Sequence, residues 1–180
     1  MSQKQERIRS LSGKISIVLK LGLAAANVIG ILALIAIGIL LFSGGDVRAS
    51  FLAAFRVTAN NGTTIGIKAG QLLLMFVFML ADAVLISLAI FFIHAVFAEM
   101  KRGSTPFSKE NTVRIKKTAI VVAILSIVGG CSDALVDYYT IGGLTWRVNI
   151  VGLITAVIIY CISLIFGYGC DLQRESDETL

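Results

Sequence analysis

Residues 21–42 read LGLAAANVIGILALIAIGILLF (Leu21 to Phe42), an apolar run in which Asn27 is the one strongly polar side chain. As a helix it is about 33 Å long, enough to cross a hydrocarbon core of about 30 Å. A secretory signal core is about 7–15 residues long, so this stretch reads as an uncleaved membrane span. Three more runs resemble it: about 72–97, 118–139 and 148–168. Unpaired backbone groups in lipid cost several kcal/mol each, so such runs must be helical. The sequence therefore predicts an all-α integral membrane protein, a single domain over 1–180. Four transmembrane helices form two antiparallel hairpins. A cytoplasmic arm (1–20), a cytoplasmic connection (98–117) and an acidic tail (169–180) complete the layout.

Composition agrees with this. The chain is 57% hydrophobic, against about 45–50% apolar residues in soluble domains. Mean hydropathy is +0.89. Lys4, Arg7, Arg9, Lys14 and Lys20 lie in the arm, and Lys101, Arg102, Lys109, Arg114, Lys116 and Lys117 in the second connection. The first connection has only Arg48, Arg56 and Lys68, and the third only Arg147. Basic residues resist translocation, so both termini are expected in the cytoplasm. Trp146, Tyr138 and Tyr139 suit an aromatic belt at the outer boundary. Between Ser43 and Gln71, the weakly amphipathic VRASFLAAFRV suits the outer membrane surface. The pI of 9.3 is explained by this topology. No basic platform with interleaved aromatics is present, so direct nucleic-acid binding is not expected.

Asp82 stands about 15 Å into the second span, near the midplane. A central Asp costs about 2.5–3.5 kcal/mol on insertion scales, which the span's Leu, Ile, Phe and Val residues offset. Its side chain should therefore face the bundle. Ser126 and Thr155 fall at similar depth, with Asn27 slightly nearer the cytoplasm, giving a polar cluster of Asn27, Asp82, Ser126 and Thr155. Two readings stand: a proton or ligand site, or an interhelical hydrogen-bonding clamp. Asp133 and Asp137 share one helix face. Asp137 is level with Arg147, so an outer ion pair competes with a carboxylate cation site, for which no acid-rich loop supplies further ligands. His94 is an interfacial residue or a pH sensor. Cys131, Cys161 and Cys170 have no metal spacing and read as small buried thiols. No nucleophile–base set, phosphate loop or dinucleotide fingerprint appears. The residues therefore imply a protein that is not an enzyme and needs no cofactor or metal.

Residues 103–117, GSTPFSKENTVRIKK, lie between the second and third spans. Thr105 followed by Pro106 suits a helix start, and Ser108 is a second candidate cap with Glu110 near the positive helix end. Arg114, Lys116 and Lys117 form a basic collar suited to anionic lipid. The acidic tail can pair with this collar or with another protein.

At GSTPFSKENTVRIKKTA the chain resembles a bacterial family of small integral membrane proteins, domain of unknown function 2975. Its members carry G-x-PF-x-x-EN-x-x-R-hydrophobic-(K/R)-x-x-A between the second and third spans. Gly103, Pro106, Phe107, Glu110, Asn111, Arg114 and Ala119 match, with one residue more between Gly and Pro than in the shortest form. The tail resembles the family's LQ-x-E-x-D-x-T-(L/V) ending at Leu172, Gln173, Glu175, Asp177 and Thr179. The resemblance implies no particular biochemical activity. Family members are often encoded beside small helix-turn-helix regulators of the Cro/C1 type, which makes such a regulator an implied partner. The expected role is a non-enzymatic interaction or regulatory protein whose working surface is these two cytoplasmic motifs. The alternative is a small transporter or self-protection (immunity) protein that uses Asp82.

Overall fold

The computed structural model describes residues 3–58, 64–102, 107–141 and 148–178. Five helices follow one another: α1 (Gln3–Phe42), α2 (Gly45–Ala54), α3 (Ala69–Lys101), α4 (Lys109–Ile141) and α5 (Ile150–Glu178). Four of them, all but α2, are long and apolar enough to cross a membrane. They leave much of their apolar surface open. Leu32 and Ile35 on α1, Val84 and Phe91 on α3, Ile124 and Ile127 on α4, and Val157 and Ile165 on α5 are all exposed. Apolar exposure on this scale is foreign to a water-soluble monomer and suits contact with acyl chains. The chain is a multi-pass membrane protein.

The helices outrun the apolar runs. α1 has 40 residues, about 60 Å, so it extends well beyond the hydrocarbon. α5 continues through the segment expected to be a separate tail and ends at Glu178. The extension carries an Arg174–Glu178 pair at 3.3 Å, one turn apart. Such pairs favour helix by a few tenths of a kcal/mol.

The connection between α1 and α3 is more ordered than its turn signals suggest. α1 ends where the Ser43 hydroxyl donates to the Ile39 carbonyl and the Arg48 guanidinium donates to the Leu40 carbonyl. A cation on these unpaired carbonyls offsets the negative end of the helix dipole. α2 starts after Gly44, with Asp46 in its first turn. Phe51 and Phe55 then meet Phe76 of α3, with ring centroids 5.1–6.2 Å apart. Beyond α2 the connection adds one short two-stranded ladder to the otherwise all-helical fold. β1 (Arg56–Thr58) and β2 (Thr64–Gly66) pair antiparallel, with Val57 opposite Ile65. β-branched residues favour this pleated pairing. α3 begins with half of a capping box, in which the Lys68 amide donates to the Gln71 side-chain oxygen at 2.9 Å.

Two compact units divide α1, α3 and α4 between them, and α5 belongs to the first. The first contains Met1–Ala26, Leu85–Leu125 and Ile150–Leu180. Its interior holds Ser12, Ser16, Asn111, Thr118 and Ser163 beside Ala89, Val96, Ala119, Val121 and Ala156. The second contains Asn27–Val84 and Ser126–Asn149. Its interior is mostly small and apolar: Ala33, Ala36, Leu40, Leu72, Ala83 and Ala134, with Ser126. Within it Gly30 lets α1 approach Ala83 closely. A methyl at Gly30 would lie 3.6 Å from the Ala83 methyl.

Candidate functional site

The N-terminus of α4 organises the first unit. Ser108 is the N-cap: its hydroxyl accepts from the Asn111 amide at 3.2 Å, and its carbonyl accepts from the Thr112 amide. The alternative start at Thr105 and Pro106 lies outside the described residues, as does Gly103. Glu110 occupies the first turn, where a carboxylate complements the helix dipole.

One face of the next two turns is turned inward, with Asn111, Thr118 and Ala119 buried. Asn111 is 0% exposed. Arg114 donates from Nη1 to Glu99 Oε2 of α3 at 2.5 Å and to Asn111 Oδ1 at 3.0 Å. Charge-assisted bonds of this kind are the strong ones. The clamp closes the α3–α4 connection and takes up the Arg114 guanidinium. Arg114 was expected to meet anionic lipid with Lys116 and Lys117. Instead a carboxylate and a buried amide hold it. Lys116 and Lys117 do remain on the exposed surface.

The start of α4 also meets the end of α5. The Phe107 ring lies 5.3 Å from the Phe166 ring. It lies over Gly169 so closely that a Cβ there would be 2.6 Å from Phe107 Cδ1. Only glycine leaves room for the ring in this position. Thr112 donates to the Ser108 carbonyl and lies 3.7 Å from Cys170 Sγ. Phe107, Lys109, Cys170, Asp171, Gln173 and Arg174 line a cleft of about 210 Å³. Parts of both sequence motifs therefore share one concave surface, with an apolar floor and a charged rim. Leu172 and Glu175 are exposed on neighbouring turns of α5, Thr179 lies outside the described residues, and of Asp177 only the helical backbone is described.

A polar contact also joins α1 and α3 in this unit. Ser16 Oγ and His94 Nε2 are 3.0 Å apart, with the donor set by the imidazole tautomer. The Thr118 and Ser163 hydroxyls are buried but donate to carbonyls of their own helices, those of Arg114 and Tyr160.

The expected mid-membrane cluster assembles only in part. Asp82 is half-buried on α3, and its Oδ1 is buried without a hydrogen-bond partner. Asp133 of α4 is its charged neighbour. Ser126 is buried in the same unit as Asp82. Asn27 lies on the exposed face of α1. Thr155 is exposed in the first unit and donates to the Val151 carbonyl at 2.8 Å, so its hydroxyl is satisfied within its own helix. Depth along a helix places residues at one level, whereas rotation decides which of them face inward.

Asp137 is half-buried on α4, while Arg147, its expected partner, lies outside the described residues. Among the described residues no three His, Cys, Asp or Glu side chains gather as metal ligands. All three cysteines are free, and Cys161 is exposed rather than buried as expected. Sequence reading missed Glu99, Phe166 and Gly169. The first carried a signal, as one of the two acids, with Glu110, among the basic residues of that connection. Compared with family models, with curated proteins and with solved structures, the chain finds no match.

Proposed function

We propose that this chain is a small protein of the bacterial inner membrane that acts by binding another protein, without catalysis. Its four spans form two antiparallel hairpins with both termini in the cytoplasm, and it belongs with the proteins of domain of unknown function 2975. Its working surface is the cleft between the start of α4 and the end of α5. One observation carries this reading. Phe107 is seated on Gly169, which joins two sequence motifs into one cleft whose rim carries both charge signs. Phe107 remains 42% exposed, an aromatic anchor open to a partner. A small helix-turn-helix regulator is the partner implied by the family resemblance. A photoreactive residue placed at position 107 should crosslink to a cytoplasmic protein in cells, and removal of residues 171–180 should abolish the adduct. An unchanged set of adducts after that truncation rejects the reading.

A second reading rests on Asp82, whose buried Oδ1 lacks a partner. Unpaired ionisable groups at membrane depth mark ion and proton paths. This reading makes the chain a small transporter or an immunity protein. Asp82→Asn should then accumulate normally yet lose a transport or resistance phenotype. Failure of the variant to accumulate would instead assign Asp82 a packing role.

A further inference from the structure

The exposed face of α4 ends in two lysines. Val113, Ile120, Ile124 and Ile127 are all exposed and recur at helical spacing, so they form one stripe. Lys116 and Lys117 interrupt that stripe between Val113 and Ile120 and are exposed with it. A face that meets acyl chains along its apolar length meets headgroups where the lysines begin. The two ammonium groups diverge. Lys116 Nζ lies 5.7 Å from the centre of the Tyr160 ring on α5. Lys117 Nζ lies 5.7 Å from the centre of the Phe92 ring on α3. Both contacts fall within the first unit. Neither lysine forms an ion pair among the described residues, and the nearby Glu99 carboxylate is engaged by Arg114.

We infer that Lys116 and Lys117 form two separate seats for anionic phospholipid headgroups, one on each flank of α4. The aromatic ring holds each ammonium by a cation–π contact. An ammonium has three donors, so others remain for phosphate oxygens. The apolar residues beside each lysine cover the first carbons of the acyl chains. A lipid fits this surface better than a soluble anion, because the charge is set within an exposed apolar stripe. The inference is independent of any protein partner at the Phe107 cleft.

Native mass spectrometry of the full chain, released from bilayers of phosphatidylglycerol and phosphatidylcholine, tests it. The wild-type protein should retain two phosphatidylglycerol molecules in preference to phosphatidylcholine. Lys116→Gln and Lys117→Gln should each lose one, with about a five-fold drop in preference per lysine. The double variant should lose both, and the Lys→Arg variants should keep them. Inorganic phosphate should not compete. For the wild-type protein the preference should weaken as salt rises, a readout that needs no variant. Equal retention by wild type and double variant overturns the proposal. So does loss of both lipids from either single variant, which would mean one shared site, and so does competition by free phosphate.

Discussion

The two units divide α1, α3 and α4 between them and differ in the side chains they bury. The first buries five polar side chains and sets a guanidinium between a carboxylate and an amide. Among the described residues, the second buries one serine beside alanines and leucines, and Asp82 Oδ1 is buried with no hydrogen-bond partner. Lipid tails are as apolar as Leu, so apolar burial gives helices in a bilayer little reason to associate. Close packing and interhelical hydrogen bonds do the work instead. Among the described residues, the buried interior of the first unit is richer in polar side chains and that of the second in small ones. A polar network depends on each of its members, whereas small-residue packing depends on space. The two units should therefore fail under different substitutions.

The largest effect should come from Arg114→Met. It removes the charged donor shared by the Asn111 oxygen and the Glu99 carboxylate, at a cost of about 1–3 kcal/mol. Thermal unfolding in detergent should show a large fall in Tm. A double-mutant cycle with Glu99→Gln should show coupling above about 0.5 kcal/mol; additive behaviour would mean the clamp contributes nothing as a unit. In the second unit Ala33→Leu should cost about 1–3 kcal/mol by overpacking, since Ala33 is 0% exposed. A silent result in the same unfolding assay would show that α1 is free to move there. Asp82→Leu should change stability by less than about 1 kcal/mol, or raise it, because it deletes a buried oxygen that no group satisfies. A marked loss would reveal a partner for Asp82 and make the two units alike. Arg174→Ala should matter least, roughly 0.3–0.5 kcal/mol, because its pair with Glu178 is solvent-exposed. Circular dichroism of the α5 extension should register at most slight fraying.

The spans were legible because bilayer thickness sets a minimum run of apolar residues, and the runs at 21–42, 72–97, 118–139 and 148–168 meet it. The polar continuations were not. Residues 169–178 are helical through backbone geometry and side-chain pairs that hydropathy does not register. Ser108 was legible as a cap because capping is a local effect of side chain on backbone. The inward turn of Arg114 was hidden, because charge asymmetry treats every basic residue as facing water or headgroups. Its partner Glu99 lies across the connection, where no short-range rule applies. For Asn27 and Thr155 the limit was rotational. Each sits in a run that is apolar on all sides, so nothing in the sequence marks which face turns inward.

The seat of Phe107 on Gly169 has a consequence for how the chain can vary through descent. Any side chain at position 169 collides with the phenyl ring at 107 where it now lies, whereas a smaller residue at 107 only opens the half-exposed cleft further. The dependence thus runs one way: a lineage that keeps the ring in this seat must keep the glycine, while one that loses the ring frees position 169 to vary. Among descendants of this chain, the glycine should outlast the ring and never the reverse.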